Sequence, residues 1–182
     1  VSIWEGREGP NVTTVDGNCG ALDAVLTAGT PLGCGRADAL LIGGGEVLSE
    51  PLYLAFEKLG VISEGETASE PGDVTSRGTH LGEGAALMLV ETLEHAAARK
   101  AKVFANIVGF GSAFEPPASE AVVVHASDRA VERAVRAALA DAGLSPSDID
   151  LVASSESGVN RIDTAEEEGL SRVLGSDVPV VA

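Results

Sequence analysis

Short apolar runs that stop at glycine, separated by stretches with helical spacing, constrain this chain more than any other feature. Ala37–Ile42 closes on Gly43-Gly44-Gly45, and Ala85–Glu91 and Val103–Val108 are runs of the same kind. Asp150–Ser154 and Val178–Val181 are shorter versions. Largely apolar runs of this length suit strands buried on both faces. Helix signals lie between them. Cys19–Ala28 is a small-residue run ended by Pro31 and the Gly33/Gly35 pair, and a short Ala-rich helix follows Glu91 and runs to Lys100. Asp128–Ala142 repeats Val131, Val135, Ala138, Leu139 and Ala142 at helical spacing, with Asp128 as the expected cap and Gly143 as a left-handed stop. Asp163–Leu174 carries acids in its first turn, and Gly175 closes it. Ser63–Gly82 reads as a long loop, and Phe114–Ala118, with Pro116-Pro117, as a connector. Strands alternating with helices predict α/β layers.

With 45% apolar but only 3% aromatic residues, and 22 glycines, the core must rest on Ala, Val, Leu and Ile. Twenty-eight acids against 12 bases give a net charge of −16, which argues against nucleic-acid and anionic-membrane binding. Runs such as Ala85–Val90 are too short to span a bilayer. Two cysteines, Cys19 and Cys34, make no disulfide framework and point to a reducing, cytoplasmic setting. The chain opens on Val1 and stops within the apolar run Val178–Ala182, so it reads as a segment of a longer protein.

Chemistry could sit at two places. Asn11–Asp16, with β-branched Val12, Thr13, Thr14 and Val15, is extended in character and runs into Gly17-Asn18-Cys19 and then a helix. A thiol at a helix N-terminus would have a lowered pKa and the nucleophilicity of a thiolate. The other reading of Cys19 is a small residue chosen for close helix packing. The second place is Ser154-Ser155-Glu156-Ser157-Gly158, between a strand and a helix, where α/β proteins put ligand chemistry and where ordinary polar turns also occur. His80, His95 and His125 are scattered, and no histidine or cysteine spacing supports a metal site. The stretches Gly33–Gly35, Gly43–Gly45, Gly82–Gly84 and Gly109–Gly111 read as tight turns. Arg129, Arg133 and Arg136 form a helix stripe, and Arg99, Lys100 and Lys102 form a cluster; either could dock an acidic partner or simply pair locally.

The motifs occur in a telling order. GPNVTTVD leads into the turn, then come LDAV, ADALLIGGGE, GEGAALMLVE, AKVFANIVGFGSAF, AALADAGLSPSDIDLV and SGVNRIDTAEEEGL. The series resembles the β-ketoacyl synthase family across nearly the whole chain. The resemblance implies an α/β, thiolase-like layered αβαβα fold, of which residues 1–182 are one partial segment. About 1–118 would be the later part of its N-terminal half, and about 119–182 the early part of its C-terminal half.

Counting from Gly9-Pro10, and back from Gly43-Gly44, puts the family's acyl-accepting cysteine position at Asn18. Cys19 is one residue late, and one helical step turns a side chain by about 100°. The family's EAHGTGT segment corresponds to Ala153–Val159, with Ser155 in place of the histidine, while the Asp and Glu that follow persist as Asp163 and Glu166. No intact catalytic set remains among these positions. The branch that looks like this is the chain-length factors of type II polyketide synthases, which replace the cysteine with an amide residue. That resemblance implies a heterodimer with a catalytic ketosynthase subunit, paired through Asn11, Val12, Thr13, Thr14 and Val15. It also implies a subunit that shapes the polyketide or fatty-acyl tunnel, with the Asn18 amide placed to assist malonyl decarboxylation. It implies no bound cofactor or metal, and substrates carried on the phosphopantetheine of an acyl carrier protein. Two other readings stay open: an active condensing enzyme using Cys19, and a non-enzymatic scaffold.

Overall fold

The computed structural model describes residue 6 and residues 9–63, 78–119 and 124–181, with the backbone alone at residue 18. The expected loop Ser63–Gly82 lies largely outside the described residues. In chain order the elements are α1 (Gly20–Gly33), β1 (Ala39–Glu46), α2 (Glu50–Lys58), β2 (Gly84–Glu91), α3 (Leu93–Ala98), α4 (Asp128–Ala142), β3 (Val152–Ala153), α5 (Asn160–Leu174) and β4 (Val180–Val181). Turns of 3-10 helix occupy Gly17–Cys19 and Pro146–Asp148. The chain divides into two compact units, Val1–Val47 with Gly82–Asn106, and Leu48–Leu81 with Ile107–Ala182.

In the first unit β1 and β2 pair antiparallel, from Ala39 opposite Glu91 to Glu46 opposite Gly84. The glycine triplet does not close β1, as expected, but lies inside it. A Cβ on Gly43 would collide with the Ala86 carbonyl, and one on Gly44 would stand 3.2 Å from the Ala21 Cβ of α1. These glycines permit close approach of a strand and a helix. The expectation of strands buried on both faces also fails. Helix α1 lies on the Gly44 face, while Leu41 and Leu87 on the other remain 58% and 70% exposed. Buried Ala28 and Ala96 mark this unit's core.

Helix α1 runs past its expected stop, through Pro31 to Gly33. Proline forfeits one N–H, but the chain recloses behind it. The Cys34 N–H donates to the Thr30 carbonyl at 3.1 Å, and the Arg36 and Ala37 N–H groups donate to the Pro31 carbonyl at 2.8 and 3.1 Å. The strand expected at Asn11–Asp16 is not part of any ladder among the described residues. An extended segment becomes a strand only by bonding a neighbour, and Val15 here is 92% exposed.

In the second unit α4 and α5 pack together at Gly169, and β3 and β4 pair in parallel, Val152 opposite Val180. The N-cap of α4 is Ser127, not Asp128: the Ala130 N–H donates to its Oγ at 3.2 Å. Asp128 instead pairs with Arg172 of α5. Helix α2 was not expected; Ser49 ahead of Glu50-Pro51, with Leu52, Ala55, Phe56 and Leu59 behind, is the signal that could have found it. The strand expected at Val103–Val108 is absent from the described ladders, and Phe104, Ile107 and Val108 are exposed. The chain beyond it lies against α4. A Cβ on Gly109 would meet the Ala138 carbonyl at 2.5 Å, and one on Gly111 would collide with that of Ala134, so these glycines too serve close approach rather than a turn.

Candidate functional site

The first candidate centre is the turn ahead of α1. Gly17 takes φ +48°, a left-handed conformation that suits glycine. The Cys19 N–H donates to the Asp16 carbonyl at 2.9 Å, and Thr14 Oγ1 donates to the Gly20 carbonyl at 2.9 Å, which ties the preceding segment to the helix. Asn18 sits in the middle of this turn.

The thiol of Cys19 behaves opposite to expectation. Partial desolvation, then the Asp16 and Asp23 carboxylates, push it above the ordinary cysteine value. A helix N-terminus favours the thiolate, but here desolvation and two nearby carboxylates oppose it. Asp23 is itself raised, chiefly by its hydrogen bond to Asp16. Exposed Cys19 therefore holds less of its thiolate form at neutral pH than an ordinary cysteine.

The second centre is the loop between β3 and α5. The Ser155 N–H donates to both oxygens of Glu166 at 3.1 and 3.2 Å, and its Oγ donates to Oε2 at 2.8 Å. Asp163, on the same face of α5, accepts from the Ser157 N–H at 2.9 Å, the Ser157 Oγ at 3.2 Å and the Gly158 N–H at 2.8 Å. Glu156 stands beside these acids; burial first, then Asp163, Glu166 and Glu167, raise its carboxyl. A cleft of about 150 Å³ alongside is lined by Ser154, Glu156, Glu166 and Leu170, among others. Asn18 and Ser155 belong to different units.

Several of the remaining candidates are engaged locally. Arg136 pairs with Glu132 at 2.9 Å, and Arg133 donates to the Phe114 carbonyl at 2.8 Å. Arg99 pairs with Glu91, which also lies 2.6 Å from His95 Nδ1. Lys102 sits 4.8 Å from the Phe104 ring centre. His125 is exposed just ahead of α4. Among the described residues no cluster of His, Cys, Asp and Glu could hold a metal ion, and no helix is long and apolar enough to cross a membrane. The segment Asn11–Val15 lines, through Val12 and Thr14, a cleft of about 140 Å³ against α1 and β1.

Residues 1–96 match the family model described as the β-ketoacyl synthase N-terminal domain, and residues 104–181 match its C-terminal domain. The chain is 34% identical to the 3-oxoacyl-[acyl-carrier-protein] synthase 2 of Vibrio cholerae, over 96% of this chain and 43% of that protein. It thus spans less than half the length of the curated relatives it matches. A solved type II polyketide ketosynthase, in complex with its acyl-carrier protein and bound to a hexaketide, superposes with a TM-score of 0.88 at 29% identity, covering 98% of this chain and 46% of that one. The ishigamide ketosynthase/chain length factor superposes at 0.75 with 27% identity, covering 87% and 39%.

Proposed function

The chain belongs to the β-ketoacyl synthase family and shares its thiolase-like fold, and from that premise we propose that it is a non-condensing subunit of the chain-length-factor kind. It pairs with a catalytic ketosynthase through Asn11–Val15 and shapes the tunnel in which the acyl chain grows. Its partner supplies the catalytic cysteine, and an acyl carrier protein delivers the extender units on phosphopantetheine.

The observation that carries this reading is at position 155. Serine cannot take an imidazole's part in decarboxylation, and this serine already commits its proton to Glu166. The nucleophile turn agrees, with an amide at Asn18 and a thiol at Cys19 that is raised rather than activated. The likeness to a ketosynthase/chain length factor structure lends support.

A second reading, condensation on Cys19, draws on the 34% identity to a 3-oxoacyl-[acyl-carrier-protein] synthase. Intact-mass spectrometry separates the two. The protein is incubated with an activated acyl thioester, alone and with a candidate catalytic ketosynthase. Acylation of the partner only is the result expected. A stoichiometric adduct on Cys19, lost in Cys19→Ala, would overturn the proposal. Acylation of neither chain, with no complex formed, would leave a scaffold and equally remove the chain-length reading.

A further inference from the structure

The loop at 155–158 donates to the acids of α5, and Ser157 Oγ also accepts from the Val159 N–H at 3.3 Å. Ser155 gives both of its donors, N–H and O–H, to Glu166; Ser157 and Gly158 give theirs to Asp163. The two acids lie three residues apart on α5, so both carboxylates face the loop from one side of the helix. A carboxylate only accepts, and a hydroxyl that has donated its single proton has only lone pairs left. Hydrogen bonds to an ionised acceptor are also roughly twice as strong as neutral ones, so the proton is not readily redirected.

We infer that Glu166 is a positioning residue that turns position 155 into a hydrogen-bond acceptor. The exposed serine oxygen can meet an N–H donor such as an amide or an ammonium group. While it donates to Glu166 it has no proton for a carbonyl or a developing oxyanion, which needs N–H or O–H groups aimed at it. The inference rests on the loop's hydrogen bonds and holds whether or not the chain pairs with a catalytic ketosynthase.

A thiol placed at position 155 reads this polarity. An adjacent carboxylate disfavours the thiolate, which is the form that reacts. Ser155→Cys and Ser155→Cys/Glu166→Gln are alkylated with iodoacetamide at pH 8 and mapped by peptide mass spectrometry, with Cys19 and Cys34 as internal references. Removing the charge should speed modification at 155 about three- to tenfold while the references hold steady. Amide hydrogen exchange of the single variant Glu166→Gln separates a local role from a general structural one. Faster exchange at Ser155, with Ser157 and Gly158 unchanged on Asp163, is expected. Equal alkylation rates overturn the inference, as does a loss of protection at all three amides.

Discussion

Gly169 of α5 lies so close to Val131 of α4 that a Cβ on the glycine would stand 2.6 Å from the valine Cβ and 2.6 Å from the Asp128 carbonyl oxygen. No side chain fits without parting the helices. The small residue at 169 sets how near α5 comes to α4, and so lets Arg172 reach Asp128 and, more loosely, Glu132 at 3.9 Å. Gly169→Ala should destabilise the protein by about 1–3 kcal/mol, in the range of overpacked cores. Urea unfolding monitored by circular dichroism checks this, and a variant as stable as the parent would mean the helices slide freely.

The end of β2 is pinned to α3 by Glu91, whose carboxyl is lowered from 4.5 to about 2, first by its hydrogen bond to Arg99 and then by that to His95. The acid is held below its unfolded value. Its contribution to stability is therefore complete above pH 4.5 and is lost as pH falls toward about 2. Arg99→Gln should lower the thermal midpoint at pH 6, with the gap to the parent holding down to about pH 4.5 and narrowing below it. A gap that stays constant with pH would assign the loss to packing of the arginine stem instead.

How much of this was legible in the residues depended on whether local chemistry or distant packing decided each point. Helix α4 was readable because Val131, Val135 and Leu139 repeat on one face and Gly143 can take φ +67°. The cap moved by one residue because Ser127 outcompetes Asp128, which α5 draws into an ion pair. The glycines misled. Gly43-Gly44-Gly45 and Gly109 look like turns in isolation, and only the neighbours Ala86, Ala21 and Ala138 show that they are points of contact. Asn11–Val15 and Val103–Val108 have strand composition, but a ladder needs a second strand that composition cannot supply. Of the candidate site, Cys19 came from the strand–turn–helix pattern, and Asn18 and Ser155 from the resemblance to the family's motifs. The raised Cys19 thiol did not, because it depends on Asp16 and Asp23 converging on one turn.

That convergence is testable by charge removal. With Asp16→Asn/Asp23→Asn the Cys19 thiol should react with iodoacetamide several-fold faster at pH 7.5. Taking away two neighbouring anions favours the thiolate, while the desolvation that is the larger cause remains. Rates are read by peptide mass spectrometry with Cys34 as reference. An unchanged Cys19 rate would show that the two carboxylates do not set its reactivity.

Installing a thiol at 18 and an imidazole at 155 asks the sharpest question of the proposed function. Asn18→Cys puts a thiol at the counted nucleophile position, one residue ahead of Cys19 and within the Gly17–Cys19 turn. If the turn has kept its geometry, this thiol should take an acyl group from an activated thioester where the parent takes none. Decarboxylation in the proposed scheme needs both an acyl-accepting thiol at 18 and an imidazole at 155. Ser155→His alone should therefore be silent, and only Asn18→Cys/Ser155→His, assembled with a catalytic partner, should show malonyl decarboxylation above that of the partner alone. The acyl adduct is followed by intact mass and decarboxylation by released carbon dioxide. An acylated Cys19 in the parent would place the nucleophile one residue later than counted. Failure of Asn18→Cys to acylate in a folded complex would remove Asn18 as the nucleophile position.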